Sequence, residues 1–173
     1  DNTRSRGLGD VYKRQGRSSD VEIIYPSPQG KLWNQDLAKK FSQTDKMIFI
    51  CGHYKGIDQR VIDKYVTNQF SVGDYVLTNG ELPSMMMLDS ALRLVPGVLN
   101  NIESALSDTF SLGLLDYPHY TQPRIIDDKE VPEVLVSGHH EKIESWRQSH
   151  RESRTRDKRP DLWEKYKKIR KSE

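Results

Sequence analysis

The chain has 173 residues, of which 35% are hydrophobic and 30% are charged, and its formal net charge at pH 7 is +2. This length allows one domain, or one compact domain with a small appendage. No stretch approaches the roughly 18 apolar residues of a membrane span, and the single Cys51 excludes an internal disulfide and favours a reducing, cytoplasmic compartment.

The first 19 residues predict no folded element, because they are basic and have no apolar periodicity. Within them, Gly7–Gln15 resembles a translated adaptor sequence. We therefore interpret residues 1–19 as a non-native or disordered tail and exclude them from the fold. The alternative is a short basic arm.

Two buried strands with a helix between them are predicted next. Val21–Tyr25 is a β-branched run, and Ser27–Gly30 has the composition of a turn. Asn34 can cap a helix that runs to about Ser42. Lys46–Cys51 is the second apolar strand, in which the thiol would be buried like a small hydrophobic side chain.

The following segment continues the alternation. Gly52–Gly56 is a predicted loop, and Asp58 can cap a short helix that ends near Tyr65. Phe70–Val72 is a third short strand, followed by a loop over Gly73–Gly80. This order of strands and helices predicts an α/β fold with a mainly parallel sheet.

The region Leu82–Val95 has the clearest helical pattern, with Pro83 in its first turn. Its apolar face, which we expect to pack in a core or interface, consists of Met86, Met87, Ser90, Ala91 and Leu94.

Beyond that helix, Asn100–Asp108 is polar and predicts a linker, and Val131–Val136 is an apolar run. Helices are predicted near His139–Arg154 and Pro160–Arg170. From Gly138 onward the chain has 12 Lys and Arg against 7 Asp and Glu. A basic end beside a near-neutral body points to an anionic partner, although for a charge run alone a solvated helical face is the favoured explanation.

Three loops follow the predicted strands, and ligands of open α/β sheets bind at that edge. They are Pro26–Gly30, Gly52–Gly56 and Gly73–Gly80. The chain has no dinucleotide-binding glycine fingerprint, no P-loop, no clustered metal ligands and no serine-hydrolase elbow. The general patterns therefore predict a small-molecule site without naming its ligand.

Six ordered motifs identify a family. They read SPQG, CGHYKGIDQRVI, VGDYVLTNGELP, PGVL, GLLDYPHYTQP and VPEVLVSGHH, beginning respectively at Ser27, Cys51, Val72, Pro96, Gly113 and Val131. Together they resemble the bacterial tRNA (guanine-N1)-methyltransferases, the TrmD family of the SPOUT superfamily. The resemblance runs from about Val21 to the C-terminus.

The resemblance implies a trefoil-knotted SPOUT domain with a mainly parallel sheet, followed by a small, mostly helical C-terminal domain. We assign residues 20–99 to a partial methyltransferase domain, residues 100–109 to a linker and residues 110–173 to an incomplete tRNA-binding domain. The family's first strand and glycine-rich segment would precede Val21, so the chain is expected to be an N-terminally truncated fragment. Its own activity is therefore open.

The implied reaction is methyl transfer from S-adenosylmethionine to N1 of guanine at tRNA position 37, next to the anticodon. That nitrogen holds a proton at neutral pH, so a base must remove it. The family's base falls on Asp108, which without the resemblance reads as a helix cap. Arg93 matches an arginine that steadies charge developing on the guanine oxygen.

The resemblance also implies the binding residues. Those that would hold S-adenosylmethionine are Tyr25, Ser27, Pro28, Gly52, Val72, Gly73, Tyr75, Leu77, Asn79, Gly80 and Pro83. Those that would lie near the target base are His53, Tyr54, Asp116 and His119. The family further implies a homodimer, in which Asp108 of one chain serves the donor bound by the other.

Three positions depart from the family pattern. His53 replaces an arginine, Lys55 replaces a glutamate, and Asn79 replaces a glycine. Asparagine tolerates the left-handed backbone conformation that glycine adopts readily. Magnesium has been placed near that glutamate, so with Lys55 we assign no metal ligand and leave a magnesium requirement open. Two alternatives also remain: another SPOUT RNA methyltransferase, or an RNA-binding fragment without turnover.

Overall fold

The computed structural model describes residues 21–53, 55–99, 108–110 and 113–170. Its contacts divide the chain into two compact units, Asp1–Ile102 and Glu103–Glu173. The predicted tail and almost all of the predicted linker lie outside the described residues.

The first unit alternates strands and helices in the predicted order. Its elements are β1 (Val21–Leu32), α1 (Gln35–Phe41), β2 (Lys46–Phe49), α2 (Gln59–Tyr65), β3 (Asn68–Ser71) and α3 (Glu81–Leu92). The sheet has the order β2-β1-β3, and both pairings are parallel. The prediction of an α/β unit with a mainly parallel sheet is confirmed.

The central strand β1 is longer than predicted. It continues past Pro26 to Leu32 instead of turning at Ser27–Gly30, and its register against β3 shifts between Pro26 and Lys31. A side chain at Gly30 would overlap the backbone nitrogen of Phe70 on β3. Ser27–Gly30 therefore does not end the strand as predicted but interrupts its pairing, because Pro26 and Lys31 both pair with Phe70. The glycine lets the two strands approach closely where the pairing resumes.

Side chains alternate between the two faces of β1 and supply a core on each face. Ile24 packs with Phe41 of α1 and Met87 of α3. Ile23 packs on the other face with Ile50 and with partly buried residues of α2. Helices therefore cover both faces of the sheet, and the carboxyl ends of its strands remain uncovered at one edge.

The first turns of the two short helices are capped by the side chains that the sequence predicted. The Asn34 Oδ1 atom accepts the backbone N–H of Leu37 at 3.0 Å, and the Asp58 Oδ1 atom accepts that of Arg60 at 2.8 Å. Each side chain satisfies a backbone donor of the first turn that has no partner within the helix.

Three sequence predictions for the first unit were wrong. Met86 is 46% exposed, although Met87 and Ala91 of the same predicted face are buried. Cys51 is exposed, because β2 ends at Phe49 and the chain has left the sheet at the cysteine. The helix α3 ends at Leu92, before the predicted Val95.

The second unit is mostly helical, as predicted, with a small hairpin. Its elements are β4 (Ile125–Ile126), β5 (Lys129–Glu130), α4 (Glu133–Val136), α5 (His140–Lys158) and α6 (Pro160–Arg170). Asp127 and Asp128 both have positive φ and form the two-residue turn of the hairpin, which suits the twist of antiparallel strands. None of the helices within the described ranges is long and apolar enough to span a membrane.

Candidate functional site

The three segments that were predicted as loops surround a cavity of about 430 Å³ at the carboxyl edge of the sheet. Pro26–Gly30 is an irregular part of β1, and the other two segments follow β2 and β3. Of the residues predicted to hold the methyl donor, all except Gly73 line it. The lining residues that the prediction did not include are Pro26, Gln29, Lys55, Gly56, Phe70, Ser71, Val76 and Thr78. Because β1 and β3 are parallel, their carboxyl ends lie at one edge and bring these distant loops together.

Gly52 and Gly80 join two of the loops. The Gly80 N–H donates to the Gly52 carbonyl at 2.9 Å, and His53 forms an isolated antiparallel bridge with Asn79. A Cβ atom at Gly80 would lie 2.8 Å from both the Cys51 Cα atom and the Gly52 nitrogen. Real Cβ atoms are not found so close to backbone, so the contact requires glycine.

Tyr25 lies on one wall of the cavity and is 7% exposed. A Cβ atom at Gly52 would lie 3.0 Å from the Tyr25 ring, and one at Gly56 would lie 3.4 Å from its hydroxyl oxygen. The two glycines thus leave room for the aromatic side chain between β1 and the loop that follows β2.

Gly73 shapes the third loop without lining the cavity. Its φ of 149° lies in a region that side chains rarely adopt, and a Cβ atom there would meet the Tyr75 ring at 2.5 Å. The Tyr75 hydroxyl donates to the Val72 carbonyl at 3.1 Å, and the Ser71 hydroxyl donates to the Gly73 carbonyl at 2.9 Å. These bonds fold the loop back beside the cavity.

His53 stands beside the cavity and not in its lining. Its Nε2 atom lies 2.7 Å from the Glu81 Oε1 atom, and both side chains are about half exposed. A hydrogen bond from the backbone N–H of Glu81, followed by the bond from His53, holds the pKa of the Glu81 carboxyl below its usual value. Tyr54, also predicted to contact the target base, lies outside the described residues.

The second unit brings Asp116 and His119 together. The Asp116 Oδ2 atom lies 2.9 Å from the His119 Nε2 atom, and its Oδ1 atom accepts the backbone N–H of Tyr117 at 2.8 Å. Burial raises the pKa of Asp116, but the bonds from His119 and Tyr117 and the charges of His119 and Arg151 together outweigh it, so the net shift is downward.

Two residues of α5 that the sequence did not single out support this loop. Arg151 is 8% exposed; its Nη1 atom donates to the Glu144 Oε1 atom at 3.0 Å, and its Nε atom lies 3.5 Å from the Asp116 Oδ1 atom. Thr155 is fully buried. Their i, i+4 spacing places them on one side of α5, but in so polar a helix this spacing by itself does not predict burial.

The two residues predicted to be catalytic belong to different units. Arg93 is exposed at the C-terminal end of α3 in the first unit, where its backbone N–H donates to the Asp89 carbonyl at 3.1 Å. Asp108 is half-buried in the second unit. Next to it, the Thr109 hydroxyl accepts the backbone N–H of Asp116 at 3.2 Å. No helix begins at residues 109 or 110, the two described residues that directly follow Asp108.

Comparisons with a family model and with individual proteins point to the same family. A family model described as tRNA (Guanine-1)-methyltransferase TrmD matches residues 8–165. The chain is 50% identical over 157 residues to the tRNA (guanine-N(1)-)-methyltransferase of Lachnospira eligens, covering 91% of this chain and 66% of that protein. It is 51% identical over 159 residues to the corresponding protein of Clostridioides difficile, covering 90% and 69%. The chain thus spans about two thirds of the length of these relatives.

Proposed function

Because the chain belongs to the tRNA (guanine-1)-methyltransferase family, we propose that it contributes to methylation of N1 of guanine at tRNA position 37, with S-adenosylmethionine as the methyl donor. The observation that carries this proposal is the cavity at the carboxyl edge of the sheet, where three of the family motifs converge. We further propose that the first unit belongs to a knotted SPOUT domain.

The cavity suits a nucleoside-containing donor. Its volume of about 430 Å³ is in the range of small-molecule sites. Tyr25 and Tyr75 offer aromatic surface, and Gly52 and Gly80 bring the backbone to the lining of the cavity. When bound, the donor supplies the methyl group. Lys55 also lines the cavity, and its positive charge disfavours a metal ion there, so we assign none.

The chemistry at the guanine needs a base and a source of positive charge. We propose that the Asp108 carboxylate removes the N1 proton, which leaves an electron pair on nitrogen for the methyl carbon. Arg93 then stabilises the negative charge that develops on the guanine oxygen. His53, Tyr54, Asp116 and His119 are proposed to position the nucleotide. In the second unit, the hydrogen bond between Thr109 and Asp116 links the segment of the proposed base to the Asp116–His119 pair.

We propose that the complete site forms in a homodimer, with Asp108 of one chain serving the donor bound by its partner. The helix α3 supports self-association because apolar residues at helical spacing are exposed on it: Leu82, Met85 and Met86. Exposed apolar patches on soluble domains commonly mark interaction surfaces. A tRNA substrate and a lone thiol fit action in the cytoplasm.

A methylation assay tests the function. The chain would be incubated with labelled S-adenosylmethionine and with tRNA transcripts that carry guanine or adenine at position 37. We expect label in the guanine transcript alone, and a large loss of label with Asp108→Asn. Asp74→Asn, a change at an exposed residue outside the cavity lining, is the matched control. Equal labelling of both transcripts, or full activity of Asp108→Asn, would contradict the proposal.

An RNA-binding role without turnover is the second candidate. It is favoured by α6, where the rings of Trp163 and Tyr166 stack with centroids 5.7 Å apart beside Lys167 and Arg170. Aromatic faces among basic residues suit single-stranded RNA. Calorimetry separates the two candidates: a defined stoichiometry of S-adenosylmethionine binding rules out the binding-only role.

A further inference from the structure

A second cavity, of about 470 Å³, lies within the second unit, and His119 is the one residue of its lining that has a role in the function proposed above. The segment from Tyr117 to Arg124 forms one side of it, and residues of α4 and α5 form the other. Leu135 and Ile143 give the lining apolar side chains, while Gln122 and two arginines supply polar groups. An apolar lining with cations beside it suits an aromatic ligand that carries negative charge.

The aromatic side chains of the cavity differ in their neighbours and in their exposure to solvent. Arg147 and Arg151 both lie 4.9 Å from the centre of the Tyr117 ring, so that ring already has cationic neighbours. Tyr120 is 48% exposed, and the His119 side chain is 64% exposed. The His119 ring lies against the Tyr117 ring, with centroids 4.6 Å apart, and its Nε2 atom is engaged by Asp116. Tyr120 therefore offers the accessible aromatic surface for stacking.

The charged groups of the cavity are held weakly. Arg124 lies 2.9 Å from Glu130, with both side chains about half exposed. Arg147 lies 3.6 Å from Glu144, and its Nε atom has no hydrogen-bond partner among the described residues. Ion pairs in solvent contribute little to stability. A phosphate can therefore replace the carboxylate at either arginine at small cost.

From this arrangement we propose that the cavity binds one unstacked nucleotide of the RNA substrate, with its base against Tyr120 and its phosphate at Arg124. The inference rests on the proposed function for its choice of RNA. We assign it to a nucleotide next to the methylated one, because the cavity is lined by His119 but not by Asp116 or by the proposed base Asp108. The cavity would thus hold a neighbouring nucleotide away from its stack and help to fix the register of the RNA.

The test is the affinity of the 173-residue chain for a fluorescent anticodon stem-loop RNA, measured by anisotropy over a range of salt concentrations. We expect Tyr120→Ala to weaken binding roughly 5- to 100-fold, the range for loss of one base–aromatic stack. Arg124→Gln should reduce the slope of log affinity against log salt by about 0.7, the value for one single-strand phosphate contact. Arg156→Gln, a change at an exposed arginine outside the cavity, is the matched control and should leave binding nearly unchanged.

Two further changes distinguish ligand binding from support of the fold. Glu130→Gln removes the carboxylate that competes for Arg124, so it should strengthen RNA binding, whereas a purely structural pair predicts loss. Abasic substitution of each loop nucleotide in turn should reveal one position whose loss weakens wild-type binding but not that of Tyr120→Ala. Tyr120→Leu, which keeps apolar bulk without an aromatic ring, replaces Tyr120→Ala if the alanine variant does not fold.

Binding of S-adenosylmethionine, followed by calorimetry, separates this inference from the proposed function. The nucleotide site is supported if every variant still binds S-adenosylmethionine and Tyr120→Ala binds RNA more weakly than the wild type. Weaker RNA binding by Arg124→Gln as well supports the phosphate contact. RNA binding that is equally strong in all variants, or equally weakened by Arg156→Gln, overturns the site and leaves the proposed function standing. A wild-type chain that binds the donor but no RNA contradicts both the inference and the RNA part of the proposed function.

Discussion

The hydroxyl of Thr155 accepts the backbone N–H of Leu115 at 2.9 Å, across 40 residues of sequence. The same hydroxyl donates to the Arg151 carbonyl one helical turn earlier, at 2.6 Å. A single buried oxygen thus ties the loop before Asp116 to α5. The position of the Asp116–His119 pair therefore depends on a residue that is completely hidden from solvent.

The first prediction concerns this oxygen. Thr155→Val keeps the shape of the side chain but leaves the Leu115 N–H without its acceptor, which costs about 1–3 kcal/mol for a buried donor. We expect a lower free energy of unfolding in urea. Thr155→Ser retains the hydroxyl and should recover most of the stability. Equal stability of the valine and serine variants would show that the hydrogen bond contributes nothing.

The pKa of Asp116 gives the second prediction. Among the groups that lower it, the hydrogen bond from His119 has a larger effect than the charge of Arg151. Replacing His119 with alanine should therefore raise the pKa of Asp116 more than Arg151→Gln does, as measured by NMR titration of the carboxyl group. Because the pKa of Asp116 is lower in the folded protein, its carboxylate stabilises the fold at pH values above its usual pKa. This stabilisation is lost as the pH falls through the pKa of the folded protein. A larger rise in Arg151→Gln would reverse the order of causes.

The third prediction concerns the contact between Gly80 and the loop after β2. Gly80→Ala places a Cβ atom against the Cys51 and Gly52 backbone, so the two loops must separate and the cavity must change shape. We expect S-adenosylmethionine binding to weaken by at least tenfold, as followed by calorimetry. Asp74→Ala, in the same loop but outside the cavity lining, should bind as the wild type does. Normal donor binding by Gly80→Ala would mean that this contact is not needed.

Two methionines of α3 give the fourth prediction, with one serving as control for the other. Met87 is fully buried in the core and Met85 is 66% exposed. Met87→Ala should lower the free energy of unfolding by about 2–5 kcal/mol, whereas Met85→Ala should change it by about 0.5 kcal/mol or less. If α3 is the face of the proposed homodimer, Met85→Ala should instead weaken association in sedimentation experiments. Equal destabilisation by the two changes would contradict the packing of α3.

The helix cap at Asp58 gives the fifth prediction. Its bonds with Arg60 lower the pKa of Asp58 from 3.8 to about 2. Asp58→Asn keeps a capping oxygen but loses the ion pair. Since the folded pKa is depressed, the wild type should be the more stable protein above about pH 4, and the difference should disappear as pH falls towards 2. Thermal unfolding at several pH values measures this difference, and a constant gap down to pH 2 would contradict the role of the charge.

The local features of the fold were predictable from sequence. The caps at Asn34 and Asp58 depend on hydrogen bonds to backbone groups two or three residues away, so the sequence alone contains them. The meeting of Pro26–Gly30 with the loop after β3 also followed from sequence. Alternating strands and helices imply a parallel sheet, and a parallel sheet brings the carboxyl ends of its strands to one edge.

Other features depended on contacts between distant segments. The continuation of β1 beyond Pro26 required the close approach of β3 to Gly30, and no local pattern announces such an approach. The exposure of Met86 and Cys51 depended on where neighbouring elements end, because a periodic pattern gives the spacing of a face but not which residues its neighbours cover.

The sequence by itself determined the family, the order of the elements and the loops that surround the proposed donor cavity, because these are carried by motifs and local backbone bonds. Only the tertiary structure decided that Arg151 and Thr155 of a strongly polar helix are buried beneath the Asp116–His119 loop. The physical reason is that a buried arginine and threonine are tolerated only where distant partners satisfy their polar atoms. Those partners, Asp116 and Leu115, become neighbours of α5 only when the chain has folded.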